Sequence, residues 1–164
     1  MSNQVLARWL GSLAIAGLLF APSARAELAA WDQAKVTGLV KELETTTDAL
    51  YRTFLQQPPP TPGSMQSQSY YSLKQLLRVL HSQVDVFAKS LAEGEGREET
   101  VWIYETITSL TRSARLEAGR VFVAKDVGER AAAVRGVLNQ LGPYYDPDFQ
   151  RFPPHPNIEP GATR

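Results

Sequence analysis

"SLKQLLRVLHSQVDVFAKSLA", Ser72 to Ala92, carries the cleanest periodicity in the chain. Leu73, Leu76, Leu77, Leu80, Val84, Phe87 and Leu91 recur three or four residues apart, so on an α-helix they share one face. The opposite face is mostly charged or amide-bearing. A helix with one apolar stripe must bury that stripe against other elements. The rest of the chain supplies three further stretches of the same kind, and none alternates like a strand.

Upstream, the helix opens near Gln66–Ser69, just after "PPPTPG", Pro58 to Gly63. Proline lacks an amide hydrogen and clashes with the preceding turn, so this segment reads as a stiff polyproline-type connector. Before it, Ala29 to Gln57 is periodic in Val36, Leu39, Val40, Leu43, Thr47, Leu50 and Phe54. Downstream, "EGEG", Glu93 to Gly96, stops the first helix quoted, since glycine accepts the left-handed conformation after a helix. Arg97 to Val123 follows, with Glu98 and Glu99 in its first turn, where negative charge suits the helix dipole. Its stripe is Ile103, Ile107, Leu110, Ala114, Ala118 and Val121. The fourth stretch opens at "DVGE", where Asp126 and Glu129 have capping-box spacing, and closes at Gly142-Pro143.

The expected fold is an all-α, up-down-up-down four-helix bundle over residues 27–143. It carries an extended or disordered tail, rich in proline and aromatics, over 144–164. The first three helices run about 26–29 residues, or roughly 40 Å, and the fourth about 15, or roughly 22 Å. The short fourth helix leaves a gap near Trp31, Trp102 and Tyr104, and Tyr144, Tyr145, Phe149 and Phe152 are placed to fold over it. Each pair of adjacent tyrosines, Tyr70-Tyr71 and Tyr144-Tyr145, is expected to turn one ring outward, because neighbours on a helix point about 100° apart.

The N-terminus reads as an address label. Arg8 is its positive charge, Leu10 to Phe20 its apolar middle, and Ala24-Arg25-Ala26 its small-residue cut site. The longest uncharged run there is about 16 residues, roughly 24 Å of helix, short of the roughly 30 Å needed to span a bilayer. Cleavage after Ala26 would place the protein in the periplasm or outside the cell. It would leave 138 residues with a net charge of −2. A near-neutral surface does not favour nucleic acid, which selects for basic faces. No stable membrane anchor is expected after processing. The chain has no cysteine, so thiol catalysis, disulfides, iron–sulfur clusters, thiolate zinc and covalently attached haem are excluded.

Chemistry-bearing groups are sparse. His81, mid-helix at the edge of its stripe, is the one candidate for binding a cofactor such as non-covalent haem, which needs a second ligand or an open iron. His155 stands alone in "PPHPN". Glu-x-x-His, the signature of carboxylate di-iron bundles, does not occur. Nor do the G-x-S-x-G, S-x-x-K and H-E-x-x-H signatures. Glu117 reads as an ion-pair partner of Arg120, and Asp48 as one of Arg52. No catalytic or metal site is expected. The expectation is a non-enzymatic, exported bundle that binds a protein partner in the envelope or serves there as an accessory subunit. The second reading is a small-ligand or haem carrier. Candidate partner-binding residues are Tyr70, Tyr71, Trp31, Trp102, Tyr144, Tyr145 and Phe149, because exposed aromatics are favoured at interfaces.

Overall fold

The computed structural model describes residues 27–153. The leader reading of residues 1–26, and His155 with the rest of the tail, lie outside the described residues. Four helices account for the fold: α1 (Gln33–Leu55), α2 (Met65–Ala92), α3 (Arg97–Ala118) and α4 (Lys125–Tyr145). They form an all-α four-helix bundle in which α1 packs on both α2 and α4, and α2 on α3.

Long-range hydrogen bonds establish the alternating directions. At one end, Gln33 at the start of α1 donates to the carbonyls of Leu91 (3.3 Å) and Glu95 (3.0 Å) at the close of α2. Thr100, early in α3, meets the hydroxyl of Tyr145 at the end of α4 (3.0 Å). At the other end, the Gln57 carboxamide after α1 accepts from the Ala124 amide before α4 (2.6 Å). Tyr70, early in α2, donates to the Gln57 carbonyl (3.4 Å). The interior is filled by the stripes read from the sequence. Val36, Phe54, Leu80, Phe87, Ile107 and Leu138 are all fully buried.

Local chemistry sets most helix ends. The Asp32 carboxylate accepts from the Lys35 amide (3.0 Å) and the Ser64 hydroxyl oxygen from Ser67 (3.2 Å), each satisfying an orphan donor of a first turn. Gly94 adopts φ of +91°, the left-handed turn that glycine alone takes cheaply after α2. The Gly96 amide then donates to the Glu99 carboxylate (2.9 Å), which opens α3.

Several boundaries differ from expectation, each for a physical reason. α1 starts at Gln33, not Ala29, because Asp32 caps it. Residues 29–31 are instead pinned as a strap across the bundle end. The Ala29 amide donates to the Pro143 carbonyl (2.8 Å), and Arg97 donates to the Ala29 carbonyl (2.6 Å). α3 stops at Ala118, capped by Gly119, rather than running to Val123. Asp126 does not cap α4; its carboxylate accepts from the adjacent Val127 amide, and Gln57 reaches the Ala124 amide instead. α4 runs through Pro143 to Tyr145, so it is the shortest helix by a single residue and not by half. Proline inside a helix costs about 3 kcal/mol. Burial of both Tyr144 and Tyr145 offsets that cost.

After Tyr145 the chain reverses. The Asp148 amide donates to the Asp146 carboxylate (2.9 Å) and the Phe149 amide to the Asp146 carbonyl (3.2 Å). The chain then returns along α4. Phe149 lies on Gly142, where a Cβ would collide with its ring. Phe152 is buried, its amide donating to the Asn139 side-chain carbonyl (2.8 Å).

Candidate functional site

The strap end of the bundle is closed. Trp31 meets the edges of Tyr144 (centroids 6.4 Å apart) and Tyr145 (5.5 Å), and Tyr145 stacks on Tyr104 at 4.6 Å. Arg97 lies over the Trp31 ring. The Thr100 hydroxyl hydrogen goes to the Gly96 carbonyl at 2.6 Å, so Tyr145 is the donor in its bond to Thr100. The Tyr104 hydroxyl has no hydrogen-bond partner among the described residues.

Burial pushes the Tyr145 phenol up to about 12, against the opposing influences of Thr100 and Arg97. Burial raises Tyr104 as well, helped by Asp146. An unfolded tyrosine titrates near 10.0. Between there and about 12 the unfolded chain has released protons that folded Tyr145 still holds, so stability falls as pH rises through this window and is fully present below it. Denaturant midpoints measured across this alkaline range should drop, and Tyr145→Phe should flatten the drop.

Three of the candidate partner-binding residues, Tyr70, Tyr144 and Tyr145, are buried and not on the surface. Tyr144 and Tyr145 are both buried, because the Ala29–Trp31 strap covers the ring that the helix alone would expose. Tyr70 is buried against Phe54 (5.1 Å, stacked) while Tyr71 turns outward, as expected of that pair. Trp31 and Phe149 are half-buried against the core. Trp102 is exposed on α3 and does not join the strap cluster, since the buried face of α3 passes through Thr100, Ile103, Tyr104 and Ile107.

His81 offers no free nitrogen to the bundle interior. Its Nε2 lies 3.4 Å from Asp48 and its Nδ1 3.4 Å from Asp85, and its ring leans on Tyr51. Asp48 also holds Arg52 at 2.9 Å. This is a polar clamp on the α1–α2 flank, and its geometry does not fit an axial haem ligand. Glu117 pairs with Arg120 at 2.9 Å, as its spacing implies. Among the described residues, no group of three or more His, Asp or Glu side chains is arranged so that it could hold a metal ion. Likewise no helix is long and apolar enough to cross a membrane.

The connector end is open, and it contains the residues that periodicity missed. A groove of about 200 Å³ lies between Gln57, Pro58, Pro60, Tyr70, Val121 and Phe122. Phe122, on the α3–α4 linker, is 81% exposed, and Leu116 in the last turn of α3 is 69% exposed. Tyr71 and Leu55 add apolar surface at the same end. Phe122 falls outside every helical stripe, so periodicity gives no sign of it. Such an arrangement can bind by burying apolar surface. Comparison with known protein families, with curated proteins and with solved structures returns no match to this chain.

Proposed function

We propose that this protein is an exported, non-enzymatic helical bundle that docks onto a protein partner in the cell envelope as an accessory subunit. The observation that carries the reading is the groove at the connector end, lined in part by exposed Phe122, with Leu116, Tyr71 and Leu55 exposed on the helix turns at that same end. Single exposed apolar residues are ordinary, but four at one end of a small bundle, beside stiff proline backbone, supply apolar surface of the kind used at interaction sites. The leader pattern supplies the compartment, and the absence of a catalytic motif in the sequence supports a binding role.

The test is affinity capture from the native envelope fraction with the full chain and with Phe122→Asp. The full chain is expected to retain one defined partner in stoichiometric amount. Phe122→Asp should lose it while keeping its helical circular dichroism, since Phe122 contributes almost nothing to the core. Undiminished capture by Phe122→Asp overturns the assignment of the surface. A mature protein that still begins at Met1 overturns the compartment.

A further inference from the structure

The inner sides of α3 are covered by α2 and, in the seam it shares with α4, by the returning tail. Phe152 sits in that seam with its ring under the Arg112 guanidinium, 5.7 Å from the centroid, and Asn139 holds its amide (2.8 Å) and its carbonyl (3.4 Å). The outer side of α3 has no such cover among the described residues. Glu98, Trp102, Glu105, Ser109, Arg112 and Leu116 follow one another there at alternating spacings of four and three, and all six are exposed. That spacing places them in one straight stripe, as in the contact line of a coiled coil. A helix face turned to water is ordinarily polar along its length. This one carries two large apolar side chains, Trp102 at 55% exposure and Leu116 at 69%.

Charge divides the stripe at Ser109. Acids stand on both sides of Trp102 in the first half, and bases on both sides of Leu116 in the second, Arg112 before it and Arg120 just past the helix end. None of the ion pairs among the described residues includes Glu98, Glu105 or Arg112. Read backwards from Ser109, the stripe is its own complement: base answers acid and Leu116 answers Trp102. Two such helices laid antiparallel and crossing at Ser109 bring Glu105 of each to Arg112 of the other. They also bring Trp102 onto Leu116, and Glu98 to the end that carries Arg120. Laid parallel, the same helices would set acid on acid and base on base, which is repulsive.

We propose that the outer face of α3 docks on the same face of a second copy of this chain, the two helices antiparallel about a two-fold axis at Ser109. The contact is isologous: one self-complementary patch serves both copies and closes the assembly at two. Trp102 and Leu116 supply the affinity by burying each other, and Ser109 is small enough to let the backbones approach. The flanking charges set direction and register more than strength, because exposed ion pairs are individually weak. Stable interfaces bury about 1,200–2,000 Å² in all, and one helix face against another lies at the small end, so the dimer depends on concentration. The inference goes beyond the docking reading above. The two connector grooves stay open at opposite ends of the pair, and Leu116 is the residue the two surfaces share.

The experiment is sedimentation of the purified protein over a concentration series at low and moderate salt. A monomer–dimer equilibrium that weakens as salt rises is expected. Glu98→Arg with Glu105→Arg makes the stripe wholly cationic, and Arg112→Glu with Arg120→Glu makes it wholly acidic. Each variant should be monomeric with unchanged helical circular dichroism, and an equimolar mixture of the two should recover the dimer. The chain has no cysteine, so the crossing point can be read by cross-linking. A short bis-maleimide should join two copies of Ser109→Cys. It should not join two copies of Glu98→Cys, whose thiols would lie roughly 33 Å apart along the paired helices. A parent that is monomeric throughout overturns the proposal, and a dimer released only by a stop after Pro153 shows the chain's own end to be the occupant. Dimers that persist in both charge-reversed variants, or a mixture that stays monomeric, overturn the assignment of the face. Equal cross-linking at both positions overturns the antiparallel register, and growth beyond two copies overturns the closure. Phe122→Asp should still dimerise, and the Glu98→Arg, Glu105→Arg variant should still capture the envelope partner, so either reading can fail while the other stands.

Discussion

Tyr145→Ala is expected to lower the stability of the bundle by about 3–5 kcal/mol, the range for truncating a large buried aromatic. The ring is the hub of the strap end. It stacks on Tyr104 and meets the edges of Trp31 and Phe87 (centroids 5.5 and 5.8 Å away). Alanine would leave a cavity among four elements, and the strap that covers it is held by few bonds, Ala29 to Pro143 and Arg97 to Ala29 among them. Domains of this size are stable by about 5–15 kcal/mol in total, so the loss would bring the variant close to unfolding. Denaturant titration followed by circular dichroism measures the change. Trp31 emission should shift to longer wavelength in the folded variant as the indole gains water. Two conservative changes separate packing from hydrogen bonding. Tyr145→Phe removes a satisfied hydroxyl and should cost about 1 kcal/mol. Tyr104→Phe removes a hydroxyl that lacks a partner among the described residues and should be neutral or stabilising. A Tyr145→Ala variant within about 1 kcal/mol of the parent would show the strap end to be a loose cover rather than part of the core.

The helices were legible because periodicity reports burial directly. Of the seven stripe residues in α2, the structure buries Leu73, Leu77, Leu80, Val84, Phe87 and Leu91, and leaves Leu76 partly buried against the core. The glycine turn at Gly94 was equally readable, since its left-handed φ is a property of the residue itself. What escaped was decided by contacts distant in sequence. Asp126 has the right spacing for a cap, yet Gln57, far upstream, holds the Ala124 amide and the helix opens at Lys125, which leaves Asp126 inside the first turn. Gly142-Pro143 is a local stop signal, yet α4 continues because Tyr144 and Tyr145 gain burial under a strap from the other end of the chain. That same strap hides the tyrosine that helical geometry alone would leave outside. The candidate docking residues Phe122 and Leu116 were invisible for the converse reason. Periodicity identifies residues that are buried and gives no sign for an apolar residue that stays out.

Removing residues 147–164, by a stop after Asp146, should cost about 3–5 kcal/mol, and a second substitution makes the cause of that loss testable. The estimate combines the burial of Phe152, part of that of Phe149, and the Asn139 hydrogen bonds, at about 1.5–3 kcal/mol for a fully buried Phe and about 1 kcal/mol for each hydrogen bond. A cut after Gly142 would not isolate this contribution, because it also deletes Tyr144 and Tyr145 from the core. The discriminating residue is Gly142. In the full chain a Cβ at this position collides with the Phe149 ring, so Gly142→Ala should destabilise by about 1–3 kcal/mol as the ring is driven off α4. In the shortened chain the ring is gone, and the same substitution should stabilise by about 0.5–1 kcal/mol, the ordinary gain of alanine over glycine inside a helix. Thermal unfolding of the four proteins in this cycle measures the coupling between Gly142 and the tail, expected to be well above the few tenths of a kcal/mol seen for independent sites. If Gly142→Ala stabilises both chains alike, Phe149 does not rest on α4 and the tail has no part in sealing the seam. A change of sign requires the aromatic ring to sit on the glycine, because no effect on helix propensity or on the unfolded chain depends on residue 149.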